Sequence, residues 1–346
     1  MNIKRNEKID FLKGLAIFLV VWGHSIQYSM NKESDYFLNS TFKVIYSFHM
    51  PLFMIISGYL FQKSINKDNF KELIYKKIKS LIVPAISWYT LYSLIKIIAK
   101  VVLNKSNIIV DMYNYFKGIP YQFWFLFILF YLSIIAIVGR KIFLDRLTYY
   151  ISIFFILLLL PDKLNIQYLK FMYPYFFIGY FYNNYRDIFI KHKNNIFKVS
   201  IVLFLFLIIG WKKDYYIYTT GMSFYNVDIV DKIFIVIYRY VIGIIGSLLV
   251  IVSGDKLYKL DKNKVFSKLG KYTLSIYIIQ SYLMMVLDKI TININNIYIY
   301  NYIYTPIISV IIIMICLFIR NLIAKNEISR SILLGENKKK IKLVNN

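Results

Sequence analysis

Long apolar stretches separated by short polar links organise this chain. They run at 11–30, 41–62, 80–103, 121–139, 147–160, 170–183, 196–211, 233–253, 271–289 and 302–319. Most approach the ~20 residues that a helix needs to cross a hydrocarbon core of about 30 Å. The pattern predicts an all-α, polytopic helical membrane protein with about ten transmembrane helices. The stretches at 147–160 and 170–183 are short. Tilting, flanking residues or a re-entrant turn at Pro161-Asp162 would accommodate them, and an eight-span arrangement is the alternative.

Charge orients the predicted bundle. Alternate links are basic: Lys4, Arg5, Lys8 and Lys13 come first, then Lys63, Lys67, Lys71, Lys76, Lys77 and Lys79. Arg140, Lys141 and Arg146 follow, then Arg186, Lys191, Lys193 and Lys198, then the lysines from Lys256 to Lys271, and at the end Lys338-Lys339-Lys340. Roughly thirty of the 43 Lys and Arg fall on this side, which the positive-inside rule makes cytoplasmic. Both termini are then cytoplasmic, as an even number of spans requires. The longest opposite link, Trp211 to Lys232, holds Tyr215-Tyr216-Ile217-Tyr218 with Asp214, Asp228 and Asp231. Residues 1–325 read as one transmembrane domain and 326–346 as a basic cytoplasmic tail. The expected location is a cell membrane, in multi-pass form, of the bacterial cytoplasmic type.

Composition narrows the function classes. Of 346 residues, 58% are hydrophobic and 18% charged, against about a quarter charged in a soluble domain. The net charge of +25 does not point to nucleic acid, because the basic residues follow topology and no separate soluble domain is present to bind it. Anionic membrane lipids are the expected partner of those lysines. One cysteine, Cys316, excludes a disulfide framework within the chain, and the histidines lack the neighbours of a metal site, so no metal is expected.

Two of the three histidines lie within the apolar stretches. Lys13 and His24 are eleven residues apart, three helical turns, so they share one face about 16 Å apart along the axis. With Lys13 at the membrane edge, His24 sits near mid-membrane. His49 approaches a similar depth from the other side, in Ser47-Phe48-His49-Met50-Pro51-Leu52-Phe53. Ionisable groups at that depth are costly and are functional candidates. An imidazole there can take a proton from a hydroxyl near neutral pH. The alternative is that both rings are buried polar contacts that pin helix packing. Pro51 frees a carbonyl beside His49, and Ser57-Gly58 permits close helix approach. Lys13, Lys76, Lys77 and Lys79 cluster at the cytoplasmic edge, where cations suit a phosphorylated ligand, although the positive-inside rule accounts for most such lysines. Arg239, two turns into its stretch, must either pair with Asp231 or Asp228 or bind a substrate group.

These residues form a set of motifs. Asp10-x-x-Lys13-Gly14, Val20-Val21-x-Gly23-His24, Phe48-His49-Met50-Pro51-Leu52-Phe53 and Ser57-Gly58-Tyr59 resemble acyltransferase family 3. The likeness continues through Lys77-Ile78-Lys79-x-Leu81-Ile82-x-Pro84, Trp124-Phe125-Leu126, Pro174-Tyr175-Phe176-Phe177-Ile178-Gly179-Tyr180 and Ser275-Ile276-Tyr277. That family comprises integral membrane acyltransferases that O-acylate sugars and glycans. The resemblance implies about ten helices, a cytoplasmic acyl-CoA donor, most simply acetyl-CoA, and an acceptor on the far side or at the membrane. It implies His24 and His49 as catalytic residues and Lys13, Lys77 and Lys79 as donor-binding cations, where the family usually has Arg at the first two. Arg239, Gln280, Trp124 and Tyr277 are the expected substrate-binding residues. Gln280 stands where many members have His, which leaves hydrogen bonding and removes acid–base chemistry there.

The expected function is a transmembrane O-acyltransferase acting on a surface polysaccharide, its lipid-linked precursor or a sugar residue, with acetyl or succinyl as the group moved. Two rivals remain at this stage. One is a transporter or flippase for a glycan or lipid-linked sugar, weakened by the lack of an inverted hydropathy repeat. The other is a non-catalytic membrane partner in a polysaccharide synthesis complex.

Overall fold

A computed structural model describes residues 6–31, 34–65, 69–103, 105, 107–224, 228–290 and 294–336. Among the described residues the chain is helical throughout and has no strand. In order, the helices are α1 (Glu7–Ser29), α2 (Ser40–Ile65), α3 (Phe70–Lys77), α4 (Val83–Val102), α5 (Ile108–Gln122), α6 (Trp124–Lys141), α7 (Leu147–Leu159) and α8 (Ile166–Tyr180). There follow α9 (Tyr182–Lys191), α10 (Lys193–Ile209), the single turn α11 (Ile217–Thr220), α12 (Ile229–Leu260), α13 (Val265–Leu269), α14 (Thr273–Leu287), the turn α15 (Ile297–Ile299), α16 (Thr305–Ile323) and α17 (Glu327–Leu333).

Each of the ten apolar stretches is a helix. Among the described residues six helices are long and apolar enough to cross a membrane, counting α3–α4 and α15–α16 as continuous rods, and α9 with α10 makes a seventh if that pair, bent by 92°, is one span. α7 and α14 are apolar but have 13 and 15 residues, and α8 also has 15. At about 1.5 Å per residue these rise only ~20–23 Å. The sequence predicts about ten spans, those at 147–160 and 170–183 short; among the described residues six or seven helices have full length and the remaining apolar ones are short. The chain is a multi-pass helical membrane protein. α3 and α5 lie outside the predicted stretches. α3 runs into α4 through one wide turn of π-helix, Ile78–Ile82.

Side-chain caps fix several helix starts. Asn6 accepts from the amides of Lys8 and Ile9, and Asp228 from those of Val230 and Asp231, satisfying donors that the first turn leaves free. Two helix pairs meet backbone to backbone. A Cβ on Gly58 would stand 1.9 Å from the carbonyl oxygen of Phe176, and one on Gly179 would stand 1.9 Å from that of Ile55, so α2 and α8 touch with no side chain between. Gly14 and Gly270 do the same for α1 and α13, against Phe266 and Asp10. Small residues at such crossings are how apolar helices approach closely where water supplies no drive.

The described ends of the chain lie on one face. Glu7 accepts from Tyr258, and Lys8 donates to Asp255, both near the end of α12. Arg320, at the end of α16, lies 4.3 Å from the ring of Tyr272 and pairs with Glu336 at 2.5 Å. This is the basic face of the bundle. Part of the predicted tail is ordered against it: α17 packs on α4, where the Trp88 indole donates to the Leu333 carbonyl at 2.9 Å. Lys4, Arg5, Lys67 and Lys338-Lys339-Lys340 lie outside the described residues.

Candidate active site

Two cavities enter the bundle from its two faces. The outer one, of about 500 Å³, is lined by His24 and His49 together with Gln27, Tyr46, Trp124, Tyr218, Tyr277 and Gln280. It lies among α1, α2, α5, α6 and α14, under the loop that carries Tyr218. The inner one, of about 290 Å³, opens beside the basic face and is lined by Lys13, Lys77, Ser64 and Ser80 at its mouth and by Phe53, Phe125 and Leu129 deeper in. Val20, Met50 and Tyr277 line both cavities, so these three side chains form the wall where the two meet. Val20 stands about one turn before His24 on α1, and Met50 follows His49 on α2.

The two imidazoles are held alike. His24 Nδ1 lies 3.0 Å from the Gln280 side-chain oxygen. The Gln280 amide nitrogen donates to the Tyr277 carbonyl at 3.2 Å, so its oxygen faces the ring and can only accept. This arrangement assigns the proton to Nδ1 and leaves Nε2 as the basic atom. His49 Nδ1 lies 2.8 Å from the Ile45 carbonyl oxygen, which likewise only accepts, so its Nε2 is also basic. Neither ring uses its basic nitrogen to fix its own position. Gln280, expected among the substrate-binding residues, is fully buried and engages His24 and the Tyr277 carbonyl with its side chain.

Tyr46 stands between the histidines, 4.7 Å from His49 and 6.4 Å from His24 between ring centroids. It stacks on Phe42 at 3.8 Å and donates to Gln27 at 3.0 Å. A Cβ on Gly23 would meet this ring at 2.6 Å, which gives the Gly23-His24 pair its physical reason. Sequence reasoning missed Tyr46 and Gln27. With 33 tyrosines in the chain, residue type carried no signal, but the spacing did: Gln27 is three after His24, and Tyr46 three before His49.

Trp124 lines the outer cavity and stacks on Tyr168 at 4.4 Å, forming a flat aromatic wall, and Tyr277 lies at the junction. Lys13 and Lys77 both line the inner cavity. Lys77 is also 4.4 Å from the Phe61 ring, and Lys13 is 4.0 Å from Asp10. Lys79 does not line either cavity, because residues two apart on a helix face different sides. Of the three lysines expected at the donor side, Lys13 and Lys77 therefore share the inner cavity and Lys79 lies outside it.

Arg239 also departs from expectation. Its guanidinium faces neither cavity and pairs with neither Asp231 nor Asp228. Asp228 caps α12, and Asp231 is exposed. Arg239 donates instead to the carbonyls of Tyr215 (2.7 Å), Gly221 (2.5 Å), Asp214 (2.8 Å) and Tyr216 (3.0 Å), and to the Thr220 hydroxyl. The planar fork meets a ring of backbone oxygens, of which those of Tyr215 and Tyr216 are buried. Asp162, at the turn marked by Pro161-Asp162, accepts from the amides of Met222 and Ser223 and from buried Lys170 at 3.0 Å. Arg239 and Asp162 together clamp the loop that places Tyr216 and Tyr218 over the histidines. At the outer surface Lys213 donates to Asp35 at 2.7 Å, and that contact holds the Asp35 carboxyl below its ordinary pKa.

The fold and the paired chambers define a multi-pass membrane protein with two buried histidines beside its central cavity. The chain belongs to the acyltransferase family 3: the family described as "Acyltransferase domain" matches residues 6–321. It is a membrane-bound acyltransferase. It is similar to the Nodulation protein NolL of Mesorhizobium japonicum, 27% identical over 299 residues, covering 83% of this chain and 78% of the relative. It is also similar to the Nodulation protein NolL of Sinorhizobium fredii, 28% identical over 224 residues, covering 62% of this chain and 60% of the relative. No solved structure matches.

Proposed function

We propose that the protein transfers an acyl group, acetyl in the simplest case, from cytoplasmic acyl-CoA to a hydroxyl of a glycan or lipid-linked sugar at the opposite face of a bacterial cytoplasmic membrane. The observation that carries this reading is His24: its Nδ1 is committed to Gln280, its Nε2 is basic, and it stands about one turn from the junction of the two cavities.

The inner cavity is the donor side in this reading. Its volume lies at the bottom of the ~300–1,000 Å³ that drug-sized ligands fill, so it suits the pantetheine arm and thioester while the nucleotide stays at the basic face. Lys13 and Lys77 at its mouth suit the phosphates. The outer cavity is the acceptor side. Its aromatic walls at Trp124, Tyr46 and Tyr218 offer flat faces to the C–H surfaces of a sugar ring, and its hydroxyl and amide groups offer partners to sugar hydroxyls.

The reaction then follows from these positions. His24 Nε2 takes the proton of the acceptor hydroxyl as its oxygen attacks the thioester carbonyl carbon. The C–O bond forms, the C–S bond breaks, and the proton passes from His24 to the departing thiolate, giving the ester and free CoA–SH. His49, whose Nε2 is also free to accept, orients the acceptor hydroxyl.

The test uses purified protein in liposomes with labelled acetyl-CoA and fractionated glycans. Transfer of label to a glycan is expected. Movement of glycan across the bilayer without label would overturn the enzyme reading in favour of a transporter. Full glycan synthesis in cells carrying both histidine substitutions would favour a non-catalytic partner.

A further inference from the structure

We propose that the three side chains shared by the two cavities, Val20, Met50 and Tyr277, select the acyl group by size. The proposal rests on the donor and acceptor sides assigned above. If the thioester is presented from the inner cavity and the hydroxyl from the outer one, the reacting carbon must lie at their junction. Among the described residues, the ones that line both cavities are these three. Each belongs to an element that also carries the chemistry: Val20 to the helix of His24, Met50 to that of His49, and Tyr277 to that of Gln280.

The junction has little room to yield. Val20 is 1% exposed and Met50 7%. The backbones behind them are fixed, α1 against α13 at Gly14 and α2 against α8 at Gly58, where no side chain intervenes. A longer acyl chain therefore cannot be accommodated by moving helices apart. It must displace a side chain at the junction or fold back into the inner cavity, which withdraws the carbonyl from His24. Met50 is the adjustable member, because an unbranched thioether with three rotatable bonds fills irregular gaps. Tyr277 is anchored by packing against Phe123 and Phe125, with ring centroids 6.3 and 5.7 Å away. The junction so built admits a two-carbon acyl group in preference to longer ones. One extra methylene against an apolar wall changes kcat/KM by about 10–200-fold.

The experiment measures kcat/KM for acetyl-, butyryl- and hexanoyl-CoA with one acceptor, in wild type, Met50→Ala, Val20→Ala and Val20→Leu. The wild type should prefer acetyl-CoA by at least about tenfold per added methylene at the first step. Met50→Ala should raise the hexanoyl-to-acetyl ratio by about tenfold or more, Val20→Ala should raise it less, and Val20→Leu should lower the butyryl-to-acetyl ratio. Ratios within twofold of wild type in all three variants overturn the proposal while leaving the acyltransferase reading intact. Wild type that transfers no acyl group from any of the three donors overturns both. If Met50→Ala does not fold, the opposite shifts expected from Val20→Ala and Val20→Leu still decide, since an unspecific loss of packing would move both in the same direction.

Discussion

The two chambers share α1, α2, α6 and α14 but differ in what those helices present. The inner chamber is apolar in depth with two lysines at the rim, whereas the outer one is crowded with tyrosine, glutamine and imidazole. A single helix supplies both characters in sequence. Along α1, Lys13 faces the inner chamber, Val20 the junction, and His24 and Gln27 the outer chamber. Three helical turns separate two environments that suit different reactants. The comparison teaches that the division of labour runs along each helix rather than between helices, so substitutions a few turns apart should act on different substrates.

The largest effect should come from the outer chamber. His24→Ala should lower transfer by about 10²–10⁴-fold, the usual loss on removing a general base, with insertion and folding intact. Wild-type turnover from a well-folded variant would end the assignment. His49→Ala should lower activity less, because an orienting group is easier to bypass than a base. A second outer effect should come from a residue that touches no cavity. Arg239→Met leaves several buried carbonyls without donors, each costing about 1–3 kcal/mol, so a loss of at least about 3 kcal/mol in unfolding free energy is expected. At temperatures where it stays folded, its acceptor KM should rise while its donor KM holds. An equal rise in both would mean that the loop serves the whole bundle and not the outer side.

The inner chamber should respond in the opposite sense. Lys13→Gln should raise the donor KM about tenfold or more, from a phosphate contact of roughly 1.5–3 kcal/mol, and leave the acceptor KM nearly unchanged. Lys13→Arg should retain or improve donor binding. Asp10, 4.0 Å from Lys13, supplies the control: if Asp10→Asn reproduces Lys13→Gln, the lysine acts through that pair and not through the donor. The smallest effect concerns the outer surface. Asp35 has its pKa lowered in the folded protein by Lys213, so its contribution is present above the unfolded carboxylate value and is lost as pH falls through the folded one. For an exposed pair this is about 0–1 kcal/mol. Thermal scans should show wild type and Asp35→Asn separated slightly at pH 7 and converging as pH falls below the ordinary carboxylate range; constant separation would remove the ion pair as its cause.

Much of the architecture was legible in the sequence because lipid imposes a simple rule: an apolar stretch must be helical. All ten stretches obey it. Span length was less legible, since the ends of α7, α8 and α14 depend on tertiary contacts that hydropathy does not record. His24 and His49 stood out because ionisable groups are rare at that depth, Lys13 because it lies three turns from His24 on one face, and Gln280 only through the family resemblance. The junction did not, because Val20 and Met50 are ordinary apolar residues until it is known which helices adjoin. Arg239 was conspicuous but misread: sequence invites a search for a carboxylate, while its actual partners are backbone carbonyls that every residue carries. Lys79 was singled out with Lys77 for its place at the membrane edge, which sequence shows, while which of the two lines the inner cavity depends on the helix face, which it does not.

The 13 residues of α7 have a further consequence. Its outward side chains Ile151, Phe155 and Leu159 are exposed and so meet lipid, yet its rise of ~20 Å falls about 10 Å short of a typical hydrocarbon core. A helix this short is matched to lipid by local thinning, by flanking residues reaching the interface or by neighbouring helices, at a fraction of a kcal/mol for each ångström of mismatch. α7 packs on α8, and α8 is locked to the helix of His49. The lipid-facing flank and the helix that carries His49 are thus joined through one intermediary, α8, with backbone contact on its inner side.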